Sequence, residues 1–560
     1  MGRRAIVFAL SVVVLLTWTT VPAEGRVYDE SRIDPVLARE ASGDPSRQFD
    51  VIVRAQSPHA ATAGERIARA RDAVARHGGS TKFSLGIVGG AAARVAGAAV
   101  LALTRDPLVD YIYRDTPLAA TFDPVNDAPK AISPGVLDTY ANYGWSYYNL
   151  CGRGVTVAVV DSGIYAHPDL AGRIVAAVDF TQDPPVVSTT PLSDPGGHGT
   201  HVAGLVAGDG TASGGAYTGT APCANIVDVR VLDAFGQSTT SVVLRGLQWV
   251  LANRRTYGIR IVNLSLGGRV TSTYRRDALS VAAEALVFAG VNVVAAAGNG
   301  GPNSASILAP ANDPFVLSVG ALDDMGTVKP SDDVVATFSA RGPTLYDNAV
   351  KPDLIAPGRK LVSLLSPGST IAAQYPDRLV TTSGATSPQY LRLSGTSMAA
   401  PLVAGIIALM LEKEPSLSPW QVRFRLKLGV RKLNKVAPFD CGSGEATVGP
   451  LFLTDLTSQY VANPLADVLA QELYTALYGQ PLQWRSMGYN GGVDSRGVEW
   501  PQVTWDNVTW DGITWENIAW EQFDWTNIAW ENIAWELLPT GFTDTRTTLD
   551  VTSTRWQLVD

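Results

Sequence analysis

Four polar side chains set among small residues are the candidates for chemistry: Asp161, His198, Asn299 and Ser397. Asp161 closes a Val-rich run at 155–160 and precedes Ser162-Gly163. Alone, Asp-Ser-Gly is as readily a turn, but at the carboxyl end of a buried strand it lies on the edge where α/β sheets keep their sites. His198 stands in Gly196-Gly197-His198-Gly199-Thr200-His201 ahead of an apolar helical run, and the glycines would let backbone approach a ligand. A metal on His198 and His201 lacks a third ligand, since no Glu or Cys stands nearby in a binding pattern. Ser397, within Ser394-Gly395-Thr396-Ser397-Met398-Ala399-Ala400-Pro401, would open an apolar helix, where free N–H groups and the dipole favour developing negative charge. A serine N-cap is the plainer reading; it leaves the crowd of small residues unexplained. Asn299 follows the run 294–298 and offers an amide donor, although Asn after Gly is also turn chemistry. Acid, imidazole, hydroxyl and amide donor are together the parts of acyl transfer.

The elements that must position them follow from periodicity. Short Val/Ile-rich runs at 155–160, 226–232, 261–266, 291–296 and 315–319 alternate with helical stretches, clearest at 241–254 and 274–289. That alternation predicts an α/β domain, a doubly wound and mostly parallel sheet with helices on both faces. Ahead of it a small α+β unit is predicted, with strands at 49–53 and 109–113 and helices at 61–76 and 98–104. A unit of that size is marginal alone, and its edge strands would need a partner. Behind it comes a connecting segment, 441–490, with one helix at 465–477. In the tail, 491–560, eight tryptophans from Trp500 to Trp535 recur at five-residue steps. Neither a flat strand nor an α-helix gives that period a common face. A repeating coil or an array docked on the main domain fits better, and exposed tryptophans could bind a cell-surface or polymer ligand.

Taken together, the motifs resemble the subtilisin-like (subtilase, peptidase S8) family of serine proteases, in its AprX-like bacterial branch. The resemblance rests on Asp161-Ser162-Gly163, the Gly-His-Gly-Thr-His stretch, Ala297-Gly298-Asn299 and Gly395-Thr396-Ser397-Met398-Ala399, in the order Asp, His, Asn, Ser. Other triad enzymes order these residues differently. Asn263-Leu264-Ser265-Leu266-Gly267-Gly268, Phe338-Ser339-Ala340-Arg341-Gly342-Pro343 and the stretch Lys351 to Gly358 agree as well, and the likeness covers about residues 121–429. It implies a serine endopeptidase with Asp161, His198 and Ser397 as triad and Asn299 in the oxyanion hole. Ser265, Leu266 and Gly267 would line the cleft and pair with substrate as an added strand, which implies broad specificity. It also implies a zymogen: residues 27–120 as inhibitory propeptide and 121–439 as catalytic domain, cut near Ala119-Ala120-Thr121. No cofactor is required for the chemistry. A structural calcium is possible, since Asp169 matches one ligand position of the family, but the loop 208–215 is short and Gly/Ser-rich.

Composition sets the remaining bounds. The 560 residues exceed one ordinary core, and a net charge of −8 without any basic block argues against a nucleic-acid partner. Arg3-Arg4, the apolar run 5–16 and Val21-Pro22-Ala23 form a secretory signal peptide, 1–23, too short for a comfortable membrane span. A secreted, extracellular protein is therefore expected, with protein or peptide substrates and no membrane contact after cleavage. Of three cysteines, Cys151 and Cys223 each precede one of two runs that would be neighbouring parallel strands. That favours a Cys151–Cys223 bridge, leaving Cys441 free.

Overall fold

The computed structural model describes residues 28–56, 62–122, 149–327, 331–433 and 436–448, with four short strands beyond. The expected signal segment, the helix at 465–477 and most of the tryptophan repeat lie outside the described residues. Within the repeat region Tyr489–Val493 pairs antiparallel with Glu499–Val503, and Thr509–Trp510 with Ile513–Thr514.

The N-terminal unit is an antiparallel sheet of β1 (Gln48–Ala55), β2 (Ser80–Leu85), β3 (Gly90–Ala96) and β4 (Val109–Arg114), ordered β2-β3-β1-β4. Helices α1 (Pro35–Gly43), α2 (Ala63–Arg76) and α3 (Gly97–Leu103) accompany it. Thr62 and Glu65 close a capping box that starts α2 two residues later than its apolar pattern suggests. Alternation along β1 divides the sheet's faces: Val51 and Val53 pack with Ala73 and Val74 of α2. Ile52, with Tyr111 and Tyr113, joins instead the core cluster of the main domain. The unit thus meets the main domain through a sheet face, not through pairing at its edge strands β2 and β4.

The chain continues through β5 (Pro117–Ala120), β6 (Thr156–Asp161), β7 (Ile174–Asp179), β8 (Val186–Ser188), α4 (His198–Ala207), β9 (Asn225–Arg230) and β10 (Gln237–Thr239). Next come α5 (Thr240–Asn253), β11 (Ile259–Leu264), β12 (Leu266–Gly267), α6 (Ala278–Phe288), β13 (Asn292–Ala296) and β14 (Leu317–Asp323). The domain closes with β15 (Val334–Val335), β16 (Leu354–Pro357), β17 (Leu361–Leu364), α7 (Thr370–Gln374), β18 (Leu379–Val380), β19 (Tyr390–Leu393), α8 (Thr396–Lys413) and α9 (Pro419–Leu428).

The central sheet has the order β15-β14-β13-β11-β6-β9-β7-β8, with β16 also paired to β14. Strands β14, β13, β11, β6, β9, β7 and β16 are parallel, and the short edge strands β8 and β15 antiparallel. Val157 and Val159 of β6 face α4 and α8, while Ala158 and Val160 face α5 and α6, so both sheet faces are covered. Helix α8 is apolar and long enough to cross a bilayer, but 89% of that stretch is buried, which makes it the core helix. Because β6 and β9 are neighbours, Cys151 and Cys223 meet at their amino ends, and the structure bonds them with Cα atoms 5.0 Å apart. Cys441 is free and buried.

Two expected elements are corrected. The helix expected at 274–289 splits at Asp277, whose carboxylate accepts from Ser280 N and starts α6. The strand expected at 261–266 breaks at Ser265, after which Leu266–Gly267 leaves the central sheet and joins a second one with β5 and β10. Residues 441–446, expected in a connecting segment, instead lie against β16: Ile355 N donates to Gly444 O and Ala446 N to Ile355 O.

Candidate active site

Strand β6 sits at a topological switch point: the chain first extends the sheet toward β9 and β7, then crosses back to β11, β13 and β14. Its carboxyl end therefore opens on a crevice, and Asp161 is its last residue. Helix α4 begins at His198 directly above it. The close approach depends on Gly199, where a Cβ would lie 2.3 Å from Gly163 O and 3.1 Å from Asp161 Cβ. The sequence suggested that this glycine leaves room for a ligand; it leaves room for the neighbouring loop. Asp161 Oδ1 accepts from His198 Nδ1 at 2.7 Å and from Ser162 N at 2.8 Å, with both side chains 1% exposed. A proton fixed on Nδ1 leaves Nε2 as the basic nitrogen, and among the described residues that nitrogen has no hydrogen-bond partner.

Ser397 is the second residue of α8. Its hydroxyl donates to Ser265 O at 2.9 Å and lies 2.6 Å from Thr121 Oγ1, so the structure joins Asp161 to His198 but engages Ser397 elsewhere. Ser397 N donates to Thr121 O at 3.3 Å. Asn299 follows β13, and its Oδ1 accepts from Thr396 N and Thr396 Oγ1, both at 3.0 Å. Its Nδ2 is thereby turned away, buried and, among the described residues, without a hydrogen-bond partner. Gly395 lets a peptide pass between these groups: a Cβ there would meet Thr121 O at 2.7 Å, Phe122 Cα at 2.8 Å and Asn299 Nδ2 at 3.3 Å.

That peptide belongs to the chain itself. Strand β5 lies between β10 and β12, antiparallel to both, pairing Ala119 with Gln237 and Gly267, and Ala120 with Leu266. Thr121 continues the strand by donating its N–H to Ser265 O at 3.2 Å. Of the expected cleft residues, Leu266 and Gly267 form strand pairs, and Ser265 contributes its carbonyl. Leu118 is buried against Gly268, where a Cβ would lie 2.3 Å from its Cδ2. Phe122 stands beyond, its ring 6.0 Å from that of His198.

Comparison with known proteins places the chain in a family. The profile of the Subtilase family, Peptidase S8, matches residues 152–444. Subtilisin E of Bacillus subtilis (strain 168) is 32% identical over 394 residues, 70% of this chain and 87% of that protein. The chain belongs to the subtilase family. Serine protease AprX of the same organism is 44% identical over 300 residues, 53% of this chain, and the match spans 65% of AprX. In fold alone, this subtilase is similar to fervidolysin from Fervidobacterium pennivorans, a keratinolytic enzyme related to subtilisin. The TM-score is 0.57 at 24% identity, over 74% of this chain and 62% of that one.

A structural calcium at Asp169, left possible by the sequence, does not fit the residues present. Both oxygens of this buried carboxylate are taken by donors, Ala212 N at 2.7 Å and the Tyr390 hydroxyl at 2.6 Å. The positively charged Arg173 guanidinium donates to Asp169 O and Ala207 O, so these oxygens already face a cation of the chain's own. Among the described residues no group of three His, Cys, Asp or Glu side chains is placed to hold a metal. His201 Nε2 faces the carbonyls of Leu361 and Leu391, and burial pushes its pKa down to about 3, so it stays neutral.

Sequence reasoning missed three supports of the site. Asp194 anchors the start of α4: its carboxylate accepts from Ser162 Oγ, Gly197 N, Thr200 N and Thr200 Oγ1. Burial nevertheless holds its pKa above the usual carboxylate range. An Asp-Pro just ahead of a helix start was its signal. Asn263 Nδ2 donates to Ser265 Oγ, which donates in turn to Ser397 O, each at 2.9 Å. The third is β10, three residues too short for any periodicity.

Proposed function

We propose that this subtilase is a secreted serine endopeptidase made as a self-processing zymogen, with residues 28–121 as propeptide and Thr121–Phe122 as its first scissile bond. The single observation that carries the reading is the lodging of Thr121 O and Phe122 Cα beside Ser397 and Asn299. Ser397 Oγ would turn from Ser265 O toward His198 Nε2, give up its proton there, and attack the Thr121 carbonyl carbon. The tetrahedral oxyanion would take hydrogen bonds from Ser397 N and Asn299 Nδ2. His198 would then protonate the Phe122 nitrogen as the C–N bond breaks, leaving Thr121 esterified to Ser397. Water, activated by the same imidazole, would hydrolyse the ester. Asp161 holds Nδ1–H throughout and stabilises the imidazolium.

Later substrates would replace β5 between β10 and β12, held mainly through backbone, which supports broad specificity at most positions. The N-terminal unit, packed on α5 and α6, would inhibit until displaced. The test compares the wild-type chain with Ser397→Ala. The wild type is expected to yield a product whose first residue is Phe122, by N-terminal sequencing or intact mass, and the alanine variant to accumulate uncut. Processing in that variant would remove Ser397 as nucleophile.

A further inference from the structure

Beyond Phe122 the site is bordered by the small sheet β17-β19-β18, whose central strand runs on into Ser394-Gly395-Thr396-Ser397. The Phe122 ring meets that of Tyr375 edge-on at 6.3 Å, and the Arg378 guanidinium lies over the Tyr375 ring, 4.3 Å from its centre. Leu379 of β18 pairs with Leu391 of β19, so continuing that antiparallel register by one residue sets Arg378 opposite Arg392. On its other flank Arg392 pairs with Val362 of β17. Phe122, Tyr375 and Val362 are all half-buried at the margin of one core cluster. Two cations thus stand close to the side chain that follows the scissile bond, and both are buried, Arg378 at 4% and Arg392 at 8% exposure. Arg392 Nε and Nη2 have no hydrogen-bond partner among the described residues. A guanidinium cannot shed its proton to relieve this, and a second cation across the strand adds repulsion. Buried charges are kept where an opposite charge meets them. Nε and Nη2 form one edge of the planar fork, the edge that takes a carboxylate through two parallel bonds. Arg94 uses the same edge on Asp50, at 2.9 and 2.8 Å.

Resting on the protease reading above, we infer that Arg392, with Arg378 beside it, binds a carboxylate on the leaving side of the substrate, an Asp or Glu at the second residue after the cut. The chain's own sequence agrees: the first acid beyond the proposed scissile bond is Asp123, next to Phe122. Backbone pairing with β10 and β12 would still hold the other side of the substrate without regard to sequence.

The test uses enzyme expressed as the full chain and three quenched fluorogenic peptides with amidated ends, built on the sequence Leu118 to Phe122. They differ only in Asp, Asn or Lys directly after the Phe. Wild type should favour Asp over Asn in kcat/KM by about tenfold, the scale of a hydrogen bond to a charged group, and should disfavour Lys further still. Most of the difference should fall in KM, as for a contact made equally in the ground state and the transition state. Arg392→Met should bring the Asp-to-Asn ratio down toward one. Arg392→Lys, which keeps the charge without the fork, should give an intermediate ratio and serves if the apolar variant does not fold. A wild-type ratio near one, or a preference undiminished in both variants, overturns the inference while leaving the protease intact. Cleavage of none of the three peptides by wild type, with Ser397→Ala behaving alike, sinks the protease reading and this inference with it.

Discussion

At the scale of single residues, the role proposed for Asn299 follows from which end of its amide is already occupied. Thr396 holds the oxygen through two bonds, so the nitrogen can serve only the groove. Asn299→Ala is therefore expected to lower kcat roughly 10²–10³-fold, the size found for the corresponding donor in subtilisin itself, with much less effect on KM. Steady-state kinetics on a small peptide checks this, and an unchanged kcat would reassign the oxyanion donor. The sequence could not decide this point alone. Asp161, Asn299 and Ser397 each sit in a motif that a turn or a cap would explain; the structure adds the bond from His198 to Asp161 and the hold of Asn299 on Thr396, the residue before Ser397. Thr121 was legible as a residue near the expected cut. That its hydroxyl rests on Ser397 Oγ was not, because no local pattern encodes a contact across 276 residues.

Among elements, the junction between the N-terminal unit and α5 carries a pH response. Asp115 accepts from Ser241 N at 2.8 Å and Ser241 Oγ at 2.7 Å, a carboxylate near a helix N-terminus. Its pKa is nevertheless raised: burial outweighs these bonds, Asp50 adds to the rise and Lys82 opposes it. A carboxyl with a raised folded pKa stabilises the folded chain most below its unfolded pKa, about 3.8, and that contribution is lost as pH rises through the folded value. In the uncleavable Ser397→Ala chain, adding Asp115→Asn should therefore gain relative stability as pH rises from about 4 to 7. Denaturant unfolding at several pH values reads it, and an Asn variant that instead loses relative stability as pH rises would mean that the helix terminus dominates. Long periodic elements such as α5 and α8 were legible from sequence. Strand β3, with its Gly-Ala-Ala-Ala start, was not, since its composition suits a helix and only pairing with β1 and β2 makes it a strand.

Across the whole molecule, buried polar groups tie distant segments together where sequence offered only motif agreement. Within the stretch Lys351 to Gly358, Lys351 Nζ donates to Val316 O and Asp353 Oδ2, both at 2.7 Å, and Arg423 of α9 reaches Asp353 Oδ1 at 2.6 Å. That cluster fixes the segment before β16 against β14 and α9, a bracing role invisible without the packing. Tyr390 acts similarly, binding β19 to the loop after β6 through Asp169. Tyr390→Phe strands a buried carboxylate oxygen and should cost about 1–3 kcal/mol of unfolding free energy. Denaturant titration of the Ser397→Ala chain measures it, and a loss below a few tenths would show that the hydroxyl is dispensable. The groove-filling strand β5 has a kinetic consequence of its own. A bond already resting beside Ser397 in its own molecule arrives without a collision, so the scission proposed above would be a first-order event, indifferent to dilution. Each newly folded chain would keep its own clock.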